Sequence, residues 1–146
     1  QSYNLLARHN ALENVALPLV YCGINRRERL ARAEQSLQAV GMLHRAHHFP
    51  RQLSGGEQQR VAIARALIAS PLIVLADEPT GALDSRTGAE ILALFAALNR
   101  TGQTIVMITH DPGIATQCRR TIRLYDGELV SDETLAPILP KRSALS

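Results

Sequence analysis

At 146 residues the chain is long enough for one domain with one sizeable core, and that core must be aliphatic, because apolar residues make up 46% of the sequence and aromatic residues only 3%, with no Trp. The net charge of +3 is spread out and lacks interleaved aromatic side chains to stack bases, so no nucleic-acid partner is expected. No apolar run approaches the ~20 residues a bilayer span requires, and Cys22 and Cys118 form no CxxC pair, as fits incidental thiols in a cytosolic protein.

The first half reads as helical. Asn14 to Val20 is a short apolar stretch that Pro18 interrupts and Gly23 closes. Arg26 to Val40 sets Leu30, Ala33, Leu37 and Val40 at intervals of three and four, which predicts an amphipathic helix ended by Gly41. Its Arg26, Arg27, Arg29 and Arg32 alternate with Glu28 and Glu34, the pattern of a solvated face. The connector His44-Arg45-Ala46-His47-His48-Phe49-Pro50 holds three histidines, but no thiolate or carboxylate close in sequence completes a zinc set.

The second half alternates by type. A helix is predicted from about Gly55 to Ala69, followed by Leu72–Ala76, an apolar run consistent with a strand buried on both faces. Ser85–Arg100 has an apolar helical face of Ile91, Leu92, Leu94, Phe95 and Leu98, and Thr104–Thr109 reads as a second buried strand. Strand, helix and strand with such short connections predict a right-handed parallel crossover. Ile122–Tyr125 and Glu128–Val130 read as a hairpin turning at Asp126-Gly127, and the tail from Leu135 as loose. The chain does not begin with Met, carries no signal peptide pattern, and opens like the middle of a longer protein, so a fragment is expected.

Three places carry chemistry. Leu53-Ser54-Gly55-Gly56-Glu57 has Ser and Glu at capping-box spacing, which starts a helix at Ser54. Two glycines in a first helical turn cost ~1 kcal/mol each relative to Ala, so they imply something that must approach the backbone closely. A helix start with free N–H groups, a positive dipole end and a hydroxyl can receive phosphate; alone, the same pattern would be an ordinary cap. Ile73-Val74-Leu75-Ala76-Asp77-Glu78 is an apolar strand that ends in two carboxylates. At the C-terminal end of a parallel strand, one carboxylate can organise Mg²⁺ and the next can deprotonate an attacking water; a solvated strand end is the plain alternative. Asp84 beside Ser85 is at least a helix cap. Ile105-Val106-Met107-Ile108-Thr109-His110 again delivers a polar residue, His110, after a strand, where it could donate to a transferring phosphoryl group.

In this order and spacing, Leu53-Ser54-Gly55-Gly56-Glu57, the strand ending in Asp77-Glu78, Gly81-Ala82-Leu83-Asp84 and Thr109-His110 resemble the nucleotide-binding domain of ABC ATPases. The resemblance covers residues 1 to 130 and implies an α/β fold. That fold is a P-loop NTPase-type parallel sheet with flanking helices plus the ABC helical subdomain, here lacking the N-terminal strands and phosphate loop. By it, residues 1–134 form a partial ATPase domain, with a helical subdomain at about 10–70 and the remainder of the catalytic core at about 71–134. Ser54, Gly55, Gly56 and Glu57 take the signature motif's place against nucleotide, Asp77 the Walker B carboxylate associated with Mg²⁺, and Glu78 the general base. Asp84 belongs to the loop that communicates across the dimer, His110 is the switch histidine, and Gln1 is a second metal contact that couples to the membrane partner. Ala11-Leu12-Glu13-Asn14-Val15 and Asp77 to Asp84 look most like the branch of macrolide exporters, lipoprotein-release systems and the cell-division transporter ATPase.

The resemblance implies ATP and Mg²⁺ as cofactors. It implies a head-to-tail dimer with a second ATPase subunit, transmembrane permease subunits as partners, and a cytoplasmic site on the inner face of the cell membrane. Two departures stand out. Glu57 replaces the Gln of many relatives, and either residue suits a capping box. No GxxxxGK[ST] occurs in the sequence, so tight ATP binding is not expected of this chain alone, whereas the intact protein is expected to be an ATPase. The alternatives are a non-transport ABC ATPase and a truncated, non-catalytic interaction module.

Overall fold

The computed structural model describes residues 3–134. Its first helix, α1 (Ala11–Tyr21), opens on a reciprocal capping box. The Asn10 side chain accepts the Glu13 N–H at 2.9 Å while the Glu13 carboxylate accepts the Asn10 N–H at 3.0 Å. Pro18 does not interrupt this helix, as the sequence predicts, but lies inside it. A proline there costs ~3 kcal/mol in isolation. The helix keeps it because Leu12, Val15, Ala16 and Leu19 are buried along one face against the next two helices.

Asn25 caps α2 (Arg26–Ala39), accepting the Glu28 N–H at 3.1 Å. Gly41 closes it at a φ of +74°, a left-handed turn that favours glycine. There the Met42 N–H returns to Leu37 O at 2.7 Å and the Gly41 N–H to Gln38 O at 3.0 Å. The histidine-containing connector folds into two 3-10 turns, Leu43–Arg45 and Pro50–Gln52, and leads to α3 (Gly55–Leu67). The three helices enclose a core of Val15, Leu19, Leu37, Val40, Met42 and Val61, each at 2% exposure or less.

From α3 the chain enters β1 (Ile73–Asp77), crosses through α4 (Ser85–Arg100) and returns as β2 (Thr104–Ile108), parallel to β1 with Asp77 opposite Ile108. The predicted β-α-β unit is present, but its strands are not buried on both faces. Val74 and Ala76 face the core, as do the partly buried Ile105 and Met107, whereas Leu75 is 77% and Val106 46% exposed. Among the described residues this sheet has two strands, and one of its faces is uncovered.

The chain divides into two units between Ile108 and Thr109. In the second, a short turn of helix, α5 (Pro112–Ala115), precedes β3 (Arg120–Tyr125) and β4 (Glu128–Thr134), an antiparallel pair. Asp126 and Gly127, at φ +48° and +82°, make the two-residue turn expected between them. Arg120 grips Asp132 across the ladder through Nε at 2.8 Å and Nη2 at 2.6 Å. The tail from Leu135 lies outside the described residues, and no described helix is long and apolar enough to cross a membrane.

Candidate functional site

The start of α3 is built as the Ser–Glu spacing predicts. Ser54 Oγ accepts the Glu57 N–H at 3.3 Å, and Glu57 Oε2 accepts the Ser54 N–H at 2.8 Å. Glu57 has a second task, since its Oε1 lies 3.2 Å from Arg45 Nε on the connector, an ion pair out of line for a hydrogen bond. The Ser54 amide bond, followed by the Ser54 hydroxyl and the Arg45 charge, holds the Glu57 carboxyl below its ordinary value despite some cost of burial. Gly55 and Gly56 follow in the first turn, where amides lack a carbonyl four residues back.

Both glycines have neighbours within this chain. A Cβ on Gly55 would sit 3.1 Å from the Tyr3 phenol oxygen and 3.4 Å from Leu83 Cδ2. A Cβ on buried Gly56 would collide with the Thr87 methyl group on α4. The close approach that the sequence pattern implies is thus made, at least in part, by the protein itself. Further along α3, Arg60 reaches Glu90 of α4 at 3.1 Å, and Arg65 donates to the carbonyls of Asn4 at 2.7 Å and Tyr3 at 2.9 Å. Gly56 and Arg60, one turn apart, face Thr87 and Glu90.

β1 carries the acidic pair to its C-terminal end. Asp77 is the strand's last residue and is exposed. Glu78 leaves the strand in the left-handed region, at φ +43°, which costs a non-glycine residue roughly 1–2 kcal/mol. Its backbone is held on both sides: its N–H donates to Ile108 O at 2.9 Å, and its carbonyl accepts the Gly81 N–H at 3.1 Å. Asp77 and Glu78 line a shallow pocket of about 70 Å³ with Tyr3, Gln59, Pro79, Ala82 and Leu83. Tyr3 and Leu83 are also the side chains against Gly55, so the start of α3 and the acidic pair share a wall.

Asp84 caps α4 with one oxygen, accepting the N–H groups of Arg86 at 3.1 Å and Thr87 at 3.0 Å. Its other oxygen accepts the Thr87 hydroxyl at 2.6 Å. The Thr87 hydroxyl, then the backbone amides, lower the Asp84 pKa from its ordinary value. His110 belongs to the second unit, where it is exposed beside Asp111, the cap of α5. Gln1 lies outside the described residues.

Tyr3, Gln59 and Thr87 were not singled out from the sequence. Gln59 alone had a signal, because it lies four residues beyond Gly55 and so on the same helical face.

The donor set at β1 suits a cation such as Mg²⁺, which takes one or two protein carboxylates and fills its shell with water and phosphate oxygens. Among the described residues no three His, Cys, Asp or Glu side chains cluster as an all-protein metal cage.

The chain is 53% identical over 133 residues to the ABC transporter ATP-binding protein YvrO of Bacillus subtilis, spanning 91% of this chain and 58% of that protein. It is 54% identical over 132 residues to the macrolide export ATP-binding/permease protein MacB of Rhodospirillum rubrum, where it spans 20% of the relative's length. Among solved structures it superimposes on the dimeric bacterial ABC transporter cassette MJ0796 with a TM-score of 0.79 at 48% identity, over 93% of this chain and 61% of that one. A second structure of that cassette, a dimeric post-hydrolysis state bound to ADP and Pi, gives a TM-score of 0.78. The chain thus spans about three fifths of YvrO and of the cassette. The model of the ABC transporter family matches residues 1–81, the stretch from the first residues through the α3 cap to the acidic end of β1, and the chain belongs to that family.

Proposed function

We propose that the protein carrying this chain is the ATP-hydrolysing subunit of an ABC transporter, coupling turnover to movement of a substrate through a membrane permease. The observation that carries this reading is the end of β1, where an exposed Asp77 and a backbone-fixed Glu78 open into one pocket beside the start of α3. In this reading Glu78 takes the proton from the attacking water and Asp77 anchors Mg²⁺, which would neutralise phosphate charge. Ser54, Gly55, Gly56 and Glu57 present a capped helix start to the nucleotide of a second, head-to-tail subunit. Asp84 sits on the loop between the two subunits; the resemblance assigns His110 to the transferring phosphoryl group and Gln1, which lies outside the described residues, to the metal. The helical stretch Asn10 to Val40 docks against the permease, and the protein works in the cytoplasm on the inner membrane face. The similarity to MacB supports the export branch.

In the full-length protein, Glu78→Gln keeps the side chain's shape and removes its basicity. It is expected to retain ATP binding while slowing hydrolysis by roughly 10²–10⁴-fold. Single-turnover hydrolysis with ATP binding measured in parallel tests this, and unchanged turnover removes Glu78 from the base role.

A further inference from the structure

Thr87 touches both the proposed nucleotide-facing start of α3 and the loop proposed to lie between subunits. It lies in the first turn of α4, partly buried, with its methyl against Gly56 of α3 and its hydroxyl on Asp84. A threonine in a helix has few rotamers, and the 2.6 Å bond to Asp84 Oδ2 selects one of them. In that rotamer the methyl fills the space a Cβ on Gly56 would need. A larger residue at position 56 must therefore spread α3 from α4, or rotate Thr87 and release Asp84.

We propose that Thr87 is a positioning residue that clamps the start of α3 to the Asp84 loop, and that Gly56 is a glycine to admit its methyl. The cap proposed to meet nucleotide and the loop proposed to lie between subunits are thereby held in one register by a single side chain. The catalytic half of this inference rests on the function proposed above; the packing half does not.

Four variants of the full-length protein test it. Gly56→Ala is expected to lower the thermal unfolding midpoint by about 5 °C, and adding Thr87→Ser, which removes the obstructing methyl, restores most of that loss. Thr87→Val keeps a methyl and removes the hydroxyl; it is expected to lower kcat by about 10-fold with KM for ATP within about 2-fold. Thr87→Ser alone, which keeps the hydroxyl, retains more than about half of the wild-type kcat by the same reasoning. An unchanged midpoint in Gly56→Ala, or no recovery in the double variant, overturns the packing half. A Thr87→Val kcat equal to wild type, or equal impairment by Val and Ser, overturns the positioning of Asp84. Absence of ATP turnover in the wild-type protein would instead defeat the proposed function, while the midpoints would still decide whether Thr87 and Gly56 form the clamp.

Discussion

Glu57 serves the α3 cap, through the Ser54 amide, and the connector, through Arg45. Its pKa lies below the ordinary 4.5 when folded, so the carboxylate adds stability that is present above that value and lost as pH falls through the folded pKa. Glutamine can still complete the capping box but cannot pair with Arg45. Glu57→Gln is therefore expected to cost under about 1 kcal/mol at pH 7, because Arg45 is partly exposed, and the gap should close as pH falls through the folded Glu57 pKa. Urea unfolding of both proteins across that range is the check; a gap of equal size at both ends would mean that charge is not what Glu57 contributes. The cap itself was legible from the Ser–Glu spacing, since its partners are three residues apart. The Thr87 contact was not, because residues 56 and 87 meet only once α3 and α4 pack. Asn14 was equally hidden. It looked like the edge of an apolar stretch, yet it is fully buried, taking the Leu6 N–H at 2.7 Å and donating to the carbonyls of Leu6, His9 and Asn10.

Among the elements, α3 connects most of what surrounds the candidate site. Its first turn is capped, its middle pairs with α4 through Arg60, and its last turn reaches the start of the described chain through Arg65. Burial presses the Arg65 pKa below its ordinary value, the mark of a charge partly withdrawn from water. The planar fork of arginine can serve two carbonyls at once; lysine presents a point charge on a flexible stem. Arg65→Lys is expected to lower stability by about 1–2 kcal/mol and to speed amide exchange selectively in residues 3–8. Hydrogen exchange resolved by peptide measures this, and equal acceleration throughout α3 would point to general loosening instead. Helix identity was readable from period and caps, but Pro18 misled because a proline's local cost was outweighed by burial that a sequence does not display.

Across the molecule, the described residues leave one sheet face open. Ile73, Leu75, Val106 and Ile108 share it, and all are between 46% and 77% exposed. The parallel β-α-β order was legible from the alternation of patterns, whereas burial of the strands was over-read, because an apolar run reports what a strand can cover and not what covers it. Contiguous apolar surface of this kind binds hydrophobic dyes. The 146-residue chain is expected to enhance the fluorescence of such a dye, and Leu75→Lys to reduce it markedly while changing stability by no more than about 0.5 kcal/mol. A larger loss of stability would mean that Leu75 is covered in solution.

The left-handed backbone at Glu78 bears on how any mutational library at that codon should be read. Branched residues such as Val and Ile are disfavoured there on conformational grounds, whatever their chemistry, while Gly and Asn are tolerated by the backbone and still lack the carboxylate. Selection for solubility and selection for turnover would therefore rank the same alleles differently. With Glu78 as the proposed base, inactive alleles at this codon would arise in two unrelated ways, and only a side chain sharing glutamate's backbone preference would tell them apart.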